Sequence, residues 1–316
     1  MPARLNLDVL IIGGGQAGIP LAYALVKGGR KVALAESKDL GGSCVNFGCT
    51  PTKAAIASAK VAHMARRASD FGLRIPTVEV DFEAVIQRAR GVALESRGGL
   101  DRGFAKAGGN PELFRGHARF TGREAERFLL SAGSHEIAAS QVVLDTGTRS
   151  TIPSIPGLAG IDFLTSENWL DHTELPRHLA IIGAGYIGLE MGQFYRRMGS
   201  EVTLLDHGDG LLSREDRDVS DALRDLLAAE GIHFELGAKI QHIEKRGNDI
   251  VLTCPGTETV ATDLFIATGR APNTDDLGLE TVGVETDSHG IVKVDERLAT
   301  NVEGVWAAGD IRGGPM

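Results

Sequence analysis

A strand, a glycine-rich turn, a helix and a second strand occur twice in this 316-residue chain, and this repeat constrains the fold more than any other feature. The glycine-rich segments are Gly13-Gly-Gly-Gln-Ala-Gly18 and Gly183-Ala-Gly-Tyr-Ile-Gly188. Each copy ends on an acid, Glu36 or Asp206, 23 positions after its first glycine, and the offset between the copies is constant (183 − 13 = 206 − 36 = 170). One such motif is a weak signal, whereas two copies with identical spacing predict two related units.

The chemistry of this pattern is the binding of dinucleotides. Each glycine segment follows a short apolar run and precedes a helical pattern, so its backbone amides approach a pyrophosphate at a helix N-terminus. The acid at the end of the second strand accepts a hydrogen bond from a ribose hydroxyl. The predicted cofactor-binding glycines are Gly13, Gly15, Gly18, Gly183, Gly185 and Gly188.

Clusters of proline and glycine predict the domain boundaries. They lie at Ile152-Pro-Ser-Ile-Pro-Gly157 and around Arg270 to Thr274, and similar endings, Asp145-Thr-Gly147 and Ala267-Thr-Gly269, close the preceding stretches. We therefore expect an α/β fold with two Rossmann-like domains. The first domain comprises residues 1–150, the second is inserted at 151–270, and residues 271–316 return to the first.

Charge and hydropathy exclude two classes of partner. The chain has 33 Lys and Arg against 42 Asp and Glu, a net charge of -9, which argues against a nucleic-acid surface. The basic pairs Arg66-Arg67 and Arg196-Arg197 are interpreted as solvated helix faces. Glycines and Gln16 interrupt the apolar stretch Val9 to Val26, so neither a membrane helix nor a signal peptide is expected. These features predict a soluble, cytoplasmic protein without a membrane partner.

The segment Cys44-Val-Asn-Phe-Gly-Cys49 holds two of the three cysteines. A disulfide between them closes a small ring, so dithiol and disulfide interconvert without large backbone motion. Thr50 is the predicted N-cap and Pro51 the first position of a helix that continues over Thr52 to Arg67. The helix dipole and Lys53, one turn into the helix, are expected to favour a thiolate at Cys49.

Cysteines also bind metal ions and form structural crosslinks. A zinc site needs four ligands, and the third cysteine, Cys254, stands alone in a β-rich stretch, so no metal site is predicted. Cys254 is expected to be a packed thiol. A purely structural disulfide stays open but fits a reducing compartment poorly.

At this point the chain resembles a known family. Gly41-Gly-Ser-Cys-Val-Asn-Phe-Gly-Cys-Thr-Pro-Thr-Lys53 is similar to the active-site signature of the class I pyridine nucleotide-disulfide oxidoreductases, of the mercuric reductase-like and lipoamide dehydrogenase-like kind. Ala267-Thr-Gly-Arg-Ala-Pro-Asn-Thr274, Leu277-Gly-Leu279 and Ala307-Ala-Gly-Asp310 follow in the family's order. The resemblance implies an FAD-dependent enzyme that passes a hydride from NAD or NADP in its reduced form to the disulfide Cys44–Cys49. From there the electrons go to a small disulfide or metal-thiol substrate.

The resemblance also implies roles for residues. The first fingerprint would hold the ADP part of FAD, with Glu36 on its ribose. Cys49 would face the flavin and Cys44 would meet the substrate. The remaining implied cofactor contacts are Ser43, Ala118, Gly147, Arg270 and Asp310.

Three further residues are assigned to the path of the hydride. The resemblance implies that Lys53 pairs with Glu190 beside the flavin N5, and that the ring of Tyr186 moves aside for nicotinamide. A solvated charge for Lys53 and simple packing for Tyr186 are the alternatives. Asp206 favours NADH because it would repel a 2′-phosphate, although Arg214 tempers this preference.

The family continues beyond the Gly-Asp motif into an interface domain with a catalytic histidine, and none of the nine histidines here matches that motif. We therefore expect a fragment of a longer protein that forms a homodimer through that domain. A cofactor-binding module whose thiols act only as a redox sensor is the alternative function.

Overall fold

The structure is a computed structural model, and it describes residues 4–314 of the chain. Its α-helices are α1 (Gly18–Lys27), α2 (Gly42–Asn46), α3 (Cys49–Arg66), α4 (Phe82–Lys106), α5 (Tyr186–Met198) and α6 (Arg217–Ala229). Its strands are β1 (Leu5–Ile12), β2 (Val32–Glu36), β3 (Glu112–Arg115), β4 (Ala118–Glu124), β5 (Arg127–Ala132), β6 (His135–Leu144), β7 (Thr148–Ser150), β8 (His178–Ile182), β9 (Glu201–Asp206), β10 (Ile232–Leu236), β11 (His242–Arg246), β12 (Asp249–Cys254), β13 (Thr257–Ala261), β14 (Asp263–Ile266), β15 (Arg270–Pro272) and β16 (Val305–Ala307). Short 3-10 helices lie at Ala68–Phe71, Leu158–Gly160, Trp169–Asp171, Leu279–Thr281 and Gly309–Arg312.

The chain forms two compact units. Unit 1 comprises residues 1–46, 93–149 and 270–316, and unit 2 comprises residues 47–92 and 150–269. The predicted boundaries at 150/151 and 270/271 lie next to unit boundaries at 149/150 and 269/270. Residues 47–92, which the sequence placed in the first domain, cluster with unit 2. The assignment of a cofactor to each domain stays a prediction.

Unit 1 is built on one mixed sheet. Its strand order is β3-β2-β1-β6-β5-β4, and β16 pairs with the C-terminal end of β6. The strands β3, β2, β1, β6 and β16 run parallel, with Val9 opposite Val32 and Gln141, while β5 and β4 are antiparallel. The parallel strands are almost continuously apolar because both faces of the sheet are covered. Leu10 and Val142 pack into one core layer, and Ile11 and Leu34 into the other.

Unit 2 contains a parallel sheet of order β10-β9-β8-β14 and an antiparallel meander, β11-β12-β13. The parallel sheet packs on α5, and α5 packs on α3. A stripe of small residues, Ala55, Ala59 and Ala62, brings α3 close to this core, where Phe194 and Tyr195 are fully buried. The α/β class with Rossmann-like units that the sequence predicted is therefore confirmed.

Two local predictions are wrong. Helix α3 begins at Cys49 with Gly48 before it, so Thr50 and Pro51 lie inside the first turn and Thr50 is not the N-cap. The Thr52 amide donates to Gly48 O at 3.0 Å, which places Cys49 itself in the helix.

The second error concerns the basic pair on α5. Arg66 and Arg67 are exposed as predicted, but the side chain of Arg197 is only 17% exposed because it pairs with Glu230. Its neighbour Arg196 donates to Glu230 O at 2.9 Å. At this end of α5 the two arginines therefore pack against Glu230 and do not form a solvated face. Elsewhere, Cys254 is buried in β12, as predicted.

Candidate active site

The first glycine turn joins β1 to α1. Gly13 has φ of +107°, and a Cβ there would lie 2.1 Å from Asp145 O, so only glycine fits. The Gly13 amide donates to Ala35 O at 2.8 Å, which ties the turn to β2. The turn therefore leads directly into the N-terminus of α1, where the helix dipole favours an anion.

The second glycine turn joins β8 to α5 and repeats the first. A Cβ at Gly183 would lie 2.2 Å from Ala267 O, and the Gly183 amide donates to Leu205 O at 2.8 Å. At Gly185, by contrast, an added Cβ would meet nothing within 4 Å. Gly185 directly precedes α5, so the second turn leaves open space beside the N-terminus of that helix.

The acids that end β2 and β9 make matching hydrogen bonds. Glu36 accepts from the amides of Gly14 and Lys38, both at 2.7 Å. Asp206 accepts from the amides of Ala184 at 2.6 Å and Gly208 at 2.7 Å. The four donors keep the 170-residue offset (184 − 14 = 208 − 38 = 170). Each carboxylate is thus fixed beside its glycine turn, and its oxygens keep lone pairs for a ribose hydroxyl.

Asp145 is a site residue that the sequence analysis missed. It directly follows β6, its side chain is buried, and its Oδ2 accepts from the Gly18 amide at 2.7 Å. Burial raises its pKa to about 7, with smaller contributions from the charges of Asp310 and Glu36, while the amides of Gly18 and Gly15 oppose the shift. A carboxyl group therefore lies within the amides of the first turn.

The second turn has no carboxylate at this position. Its counterpart is Ala267, because the amides of Asp145 and Ala267 donate to Ile12 O at 2.7 Å and to Ile182 O at 2.8 Å. The difference was visible in the two matching sequence endings, one with Asp and one with Ala, but nothing in the sequence placed the carboxylate on Gly18.

The two cysteines of the predicted redox pair lie on different helices. Cys44 is on α2, next to Ser43, and is half-buried, whereas Cys49 is the first residue of α3 and is exposed. The side chain of Asn46 donates to Gly42 O at 2.9 Å and to Leu40 O at 3.0 Å, which holds the short helix α2 in place.

The segment between the cysteines has a second anchor within unit 2. Trp169 is buried, and its Nε1 donates to Phe47 O at 2.8 Å. This bond and the start of α3 at Cys49 fix the backbone on the C-terminal side of the cysteine motif.

Lys53 and Glu190 form the predicted pair. The Nζ of Lys53, one turn into α3, lies 2.7 Å from Oε1 and 2.8 Å from Oε2 of Glu190 on α5. The structure confirms this pairing, and it is open to solvent, with side chains 59% and 41% exposed. An exposed pair of this kind stabilises the fold by at most about 1 kcal/mol. The roles of the two residues toward a flavin stay predictions.

Tyr186 is the first residue of α5, and its side chain projects into solvent, with 60% of the residue exposed. Its hydroxyl donates to the carboxylate of Glu215. This bond raises the pKa of Tyr186, and the charge of Arg214 opposes part of the shift. Simple packing, the alternative role for Tyr186, does not fit so exposed a ring.

The other predicted contacts lie around the ends of the unit 1 sheet. Asp310 follows β16, whose partner β6 ends at Leu144, and Gly147 has φ of +63°. Arg270 donates from Nε to Thr148 Oγ1 and from a terminal nitrogen to Thr148 O, both at 2.7 Å. Ala118 is buried at the start of β4. None of these placements tests cofactor contact, so these assignments remain predictions.

Two kinds of feature are absent from the described residues. No helix within residues 4–314 is long and apolar enough to cross a membrane. In the same part of the chain, no three His, Cys, Asp or Glu side chains come together as potential metal ligands.

The matched turns, with their strands, helices and terminal acids, define an α/β protein with two dinucleotide-binding folds. The profile of the family described as pyridine nucleotide-disulphide oxidoreductase matches residues 7–316. The chain belongs to this family, as its cysteine motif had indicated. The cofactors of the family are FAD and NAD(P)H.

Relatives with two different names match the chain equally well. A mercuric reductase from Lysinibacillus sphaericus is 32% identical over 98% of this chain and 57% of its own length. A dihydrolipoyl dehydrogenase from Cupriavidus necator is 33% identical over 98% of this chain and 68% of its own length. The chain thus spans about half to two thirds of the length of the relatives that it matches.

Solved structures give the same family. The HOCl-induced flavoprotein disulfide reductase RclA from Escherichia coli, as its Cu(II) complex, superposes with a TM-score of 0.86 at 32% identity, over 98% of this chain and 67% of that one. LpdA from Mycobacterium tuberculosis gives a TM-score of 0.88 at 26% identity, over 98% of this chain and 68% of that one.

Proposed function

We propose that this chain passes two electrons from NAD(P)H through FAD to the cysteine pair Cys44 and Cys49, and from there to a small disulfide or metal-thiol substrate. The observation that carries the proposal is the pair of matching glycine turns, of which the first precedes the cysteine motif in the chain and the second leads into α5, the helix of Glu190. The electrons balance, since a hydride carries two electrons and a disulfide takes two electrons and two protons to give two thiols.

The first turn fits the ADP part of FAD. The N-terminus of α1 favours a phosphate, and Glu36 is held by Gly14 and Lys38 with lone pairs free for a ribose. We assign Ser43, Ala118, Gly147, Arg270 and Asp310 as further cofactor contacts, as the resemblance implies. When bound, FAD supplies the two-electron chemistry, and the chain binds and orients it.

The second turn fits the nicotinamide dinucleotide. The space at Gly185 admits a pyrophosphate, and Asp206, fixed by Ala184 and Gly208, is placed for the adenosine ribose. A 2′-phosphate beside the Asp206 carboxylate is repelled, so we propose NADH over NADPH.

Each cysteine has its own part in the proposal. We assign Cys49, the first residue of α3, as the thiol that faces the flavin, as the resemblance implies. Cys44 then meets the substrate. Lys53, held by Glu190, places a positive charge one turn from Cys49.

The substrate is proposed only as a class. Relatives named mercuric reductase and dihydrolipoyl dehydrogenase are similar to this chain to the same extent, 32% and 33% identity, and favour neither substrate. The resemblance assigns the catalytic histidine and the homodimer contacts to a domain outside these 316 residues. We therefore propose that the full-length protein is a homodimer.

The proposal is tested by counting thiols. The FAD-loaded chain is oxidised, made anaerobic, mixed with one equivalent of NADH, then denatured and alkylated, and the labels are counted by mass spectrometry. We expect the count to rise from one, Cys254, to three, because Cys44 and Cys49 become thiols.

The controls are the variants Cys44→Ser and Cys49→Ser, in which no internal disulfide forms and the count stays at two before and after NADH. A wild-type chain in which the flavin absorbance bleaches while the count remains at one would contradict the proposal. That result would indicate a cofactor-binding module whose cysteines do not receive the electrons.

A further inference from the structure

We propose that Glu215 is a positioning residue that latches Tyr186 at the second glycine turn, so that binding of the nicotinamide dinucleotide requires the Tyr186–Glu215 hydrogen bond to break. This inference rests on the proposed function, because it assumes that the second turn binds that cofactor. It assigns to Glu215 a role that neither the sequence motifs nor the resemblance gave it.

The tyrosine depends on this bond for its orientation. With 60% of the residue exposed, Tyr186 gains little from packing, and its hydroxyl donates to the Glu215 carboxylate. A hydrogen bond to an ionised acceptor is stronger than one between neutral groups. The bond therefore selects one position of an otherwise mobile side chain.

The acceptor is held in place by the backbone of its own loop. The Glu215 amide donates to Leu212 O at 2.8 Å, and the Leu212 amide donates to Ala184 O, in the glycine turn itself, at 3.1 Å. Leu211 is buried, and Leu212 has φ of +49°, a conformation that non-glycine residues rarely adopt. Donor and acceptor are thus fixed relative to the same turn.

The latch and the cofactor are in competition. The N-terminus of α5, which begins at Tyr186, attracts an anionic pyrophosphate. The Glu215 carboxylate has the same sign of charge as the pyrophosphate and is bonded to the first side chain of that helix. Repulsion between the two anions should therefore weaken the Tyr186–Glu215 hydrogen bond when the dinucleotide binds. Removing either partner of the bond should therefore tighten binding of the dinucleotide.

The binding experiment uses the FAD-loaded chain, reduced beforehand with dithionite so that NADH binds without reacting. NADH fluorescence gives Kd for wild type, Glu215→Ala, Tyr186→Phe and the double variant. A net hydrogen bond of ordinary strength corresponds to about three- to tenfold in Kd, which is the tightening we expect for each single variant. The double variant should bind no more tightly than the tighter single variant, because both remove one bond.

Tyr186→Phe distinguishes the effect of the hydrogen bond from the effect of the Glu215 charge, because it removes the bond and leaves the carboxylate in place. The matched charge control is Asp209→Asn in the same loop, where the carboxylate is 93% exposed and pairs with Arg217 at 3.3 Å. We expect its Kd to equal that of wild type. An Asp209→Asn variant that tightens binding as much as Glu215→Ala, or a Tyr186→Phe variant that leaves Kd unchanged, would overturn the inference.

A spectroscopic measurement tests the bond without any nucleotide. The chain has three tyrosines, so labelling their hydroxyl-bearing ring carbons with 13C gives a simple spectrum in which Tyr186→Phe assigns the signal. We expect Glu215→Gln to move the Tyr186 signal at neutral pH and to lower the tyrosine pKa, because Glu215 is the main cause of its elevation. An unmoved signal means that the bond does not form in solution, and the inference fails.

The two proposals fail in different ways. A wild-type chain that does not bind NADH contradicts the proposed function of the second turn. A wild-type chain that binds NADH, together with latch variants whose Kd and tyrosine signals are unchanged, contradicts only the role of Glu215.

Discussion

Asp145 Oδ2 accepts a hydrogen bond from the Gly18 amide at 2.7 Å, inside the first glycine turn. In the second turn the corresponding residue is Ala267, so the two turns differ by one buried carboxyl group. The Asp145 carboxyl group is closely surrounded, because a Cβ added at Gly309 would lie 2.7 Å from Asp145 Oδ1. The first turn therefore carries a titratable group where the second carries a methyl group.

The first prediction is that Asp145 makes the chain less stable as pH rises from about 4 to 7. Its pKa is raised from 3.8 to about 7 on folding, so in this window the folded chain keeps a proton that the unfolded chain has lost. The contribution is fully present below the unfolded pKa and is lost as pH rises toward the folded pKa, at no more than about 1.4 kcal/mol per pH unit. Urea denaturation at pH 5 and pH 7 should show the fall, and Asp145→Asn should reduce it.

Asp162→Asn is the control for this measurement, because Asp162 is exposed. It should keep the pH dependence of wild type. If Asp145→Asn keeps that dependence as well, Asp145 does not titrate between these pH values.

Residue patterns predicted the local elements of the site well, while the one confirmed long-range contact, Lys53 with Glu190, came from the family resemblance. Strands β2 and β9 end where predicted, at Glu36 and Asp206, because a buried strand bounded by a turn is encoded within a few residues. The bond from Asp145 to Gly18 joins residues 127 positions apart, and no local pattern reports it.

The N-cap error has a different physical cause. Thr50 and Pro51 resemble a helix start, and proline is indeed accepted within the first turn, where its missing N–H costs nothing. The helix nevertheless starts at Cys49, because the Thr52 amide reaches Gly48 O at 3.0 Å. A small change in local backbone geometry is enough to move a helix boundary of this kind by one residue.

A second prediction concerns the glycines of the second glycine turn. Gly188→Ala places a Cβ 2.0 Å from Gly183 O and should destabilise the chain by about 3 kcal/mol or more. Gly185→Ala meets nothing within 4 Å and has φ of -81°, so it should fold like wild type. Its methyl group instead occupies the space proposed for the pyrophosphate, and NADH binding should be lost. Thermal denaturation and NADH titration of both variants separate the two effects.

The paired variants control each other. A Gly185→Ala chain that binds NADH as tightly as wild type would place the pyrophosphate elsewhere. A Gly188→Ala chain of unchanged stability would show that the turn relaxes around the added methyl group.

A third prediction concerns Lys53 and Glu190. Because their side chains are 59% and 41% exposed, Lys53→Met should change the free energy of unfolding by less than about 1 kcal/mol. The proposed function requires the charge, however, so the rise in the thiol count after NADH should be slowed at least about tenfold, which corresponds to 1.4 kcal/mol in the barrier. Rapid-quench alkylation measures that rate.

Lys53→Arg is the matched variant, since it keeps the positive charge beside Glu190. It should recover most of the rate. Equal rates in Lys53→Met and wild type would assign Lys53 the alternative role of a solvated helix charge.

The last prediction is that Glu230 fixes α5 to α6 through a shielded ion pair. Its carboxylate accepts from Arg197 Nε at 2.7 Å and from a terminal nitrogen at 2.6 Å, with side chains 14% and 17% exposed. Burial acts to raise the pKa of Glu230, but the hydrogen bond and charge of Arg197 outweigh it and hold the pKa below its usual value of 4.5. Glu230→Gln leaves the Arg197 charge without its counter-ion, which should cost about 2 to 4 kcal/mol at pH 7.

The pH dependence follows from the lowered pKa of Glu230. The stabilising contribution of the Glu230 carboxylate is present above pH 4.5 and is lost as pH falls through the folded pKa. The difference in free energy of unfolding between Glu230→Gln and wild type should therefore narrow below pH 4. Urea denaturation at pH 7 and at pH 3.5 measures this difference at each pH. Asp225→Asn breaks the exposed contact with Arg224 on α6 and should leave stability nearly unchanged at either pH. A difference for Glu230→Gln as small as that of Asp225→Asn would mean that packing of Phe194 and Tyr195, rather than the ion pair, holds α5 in place.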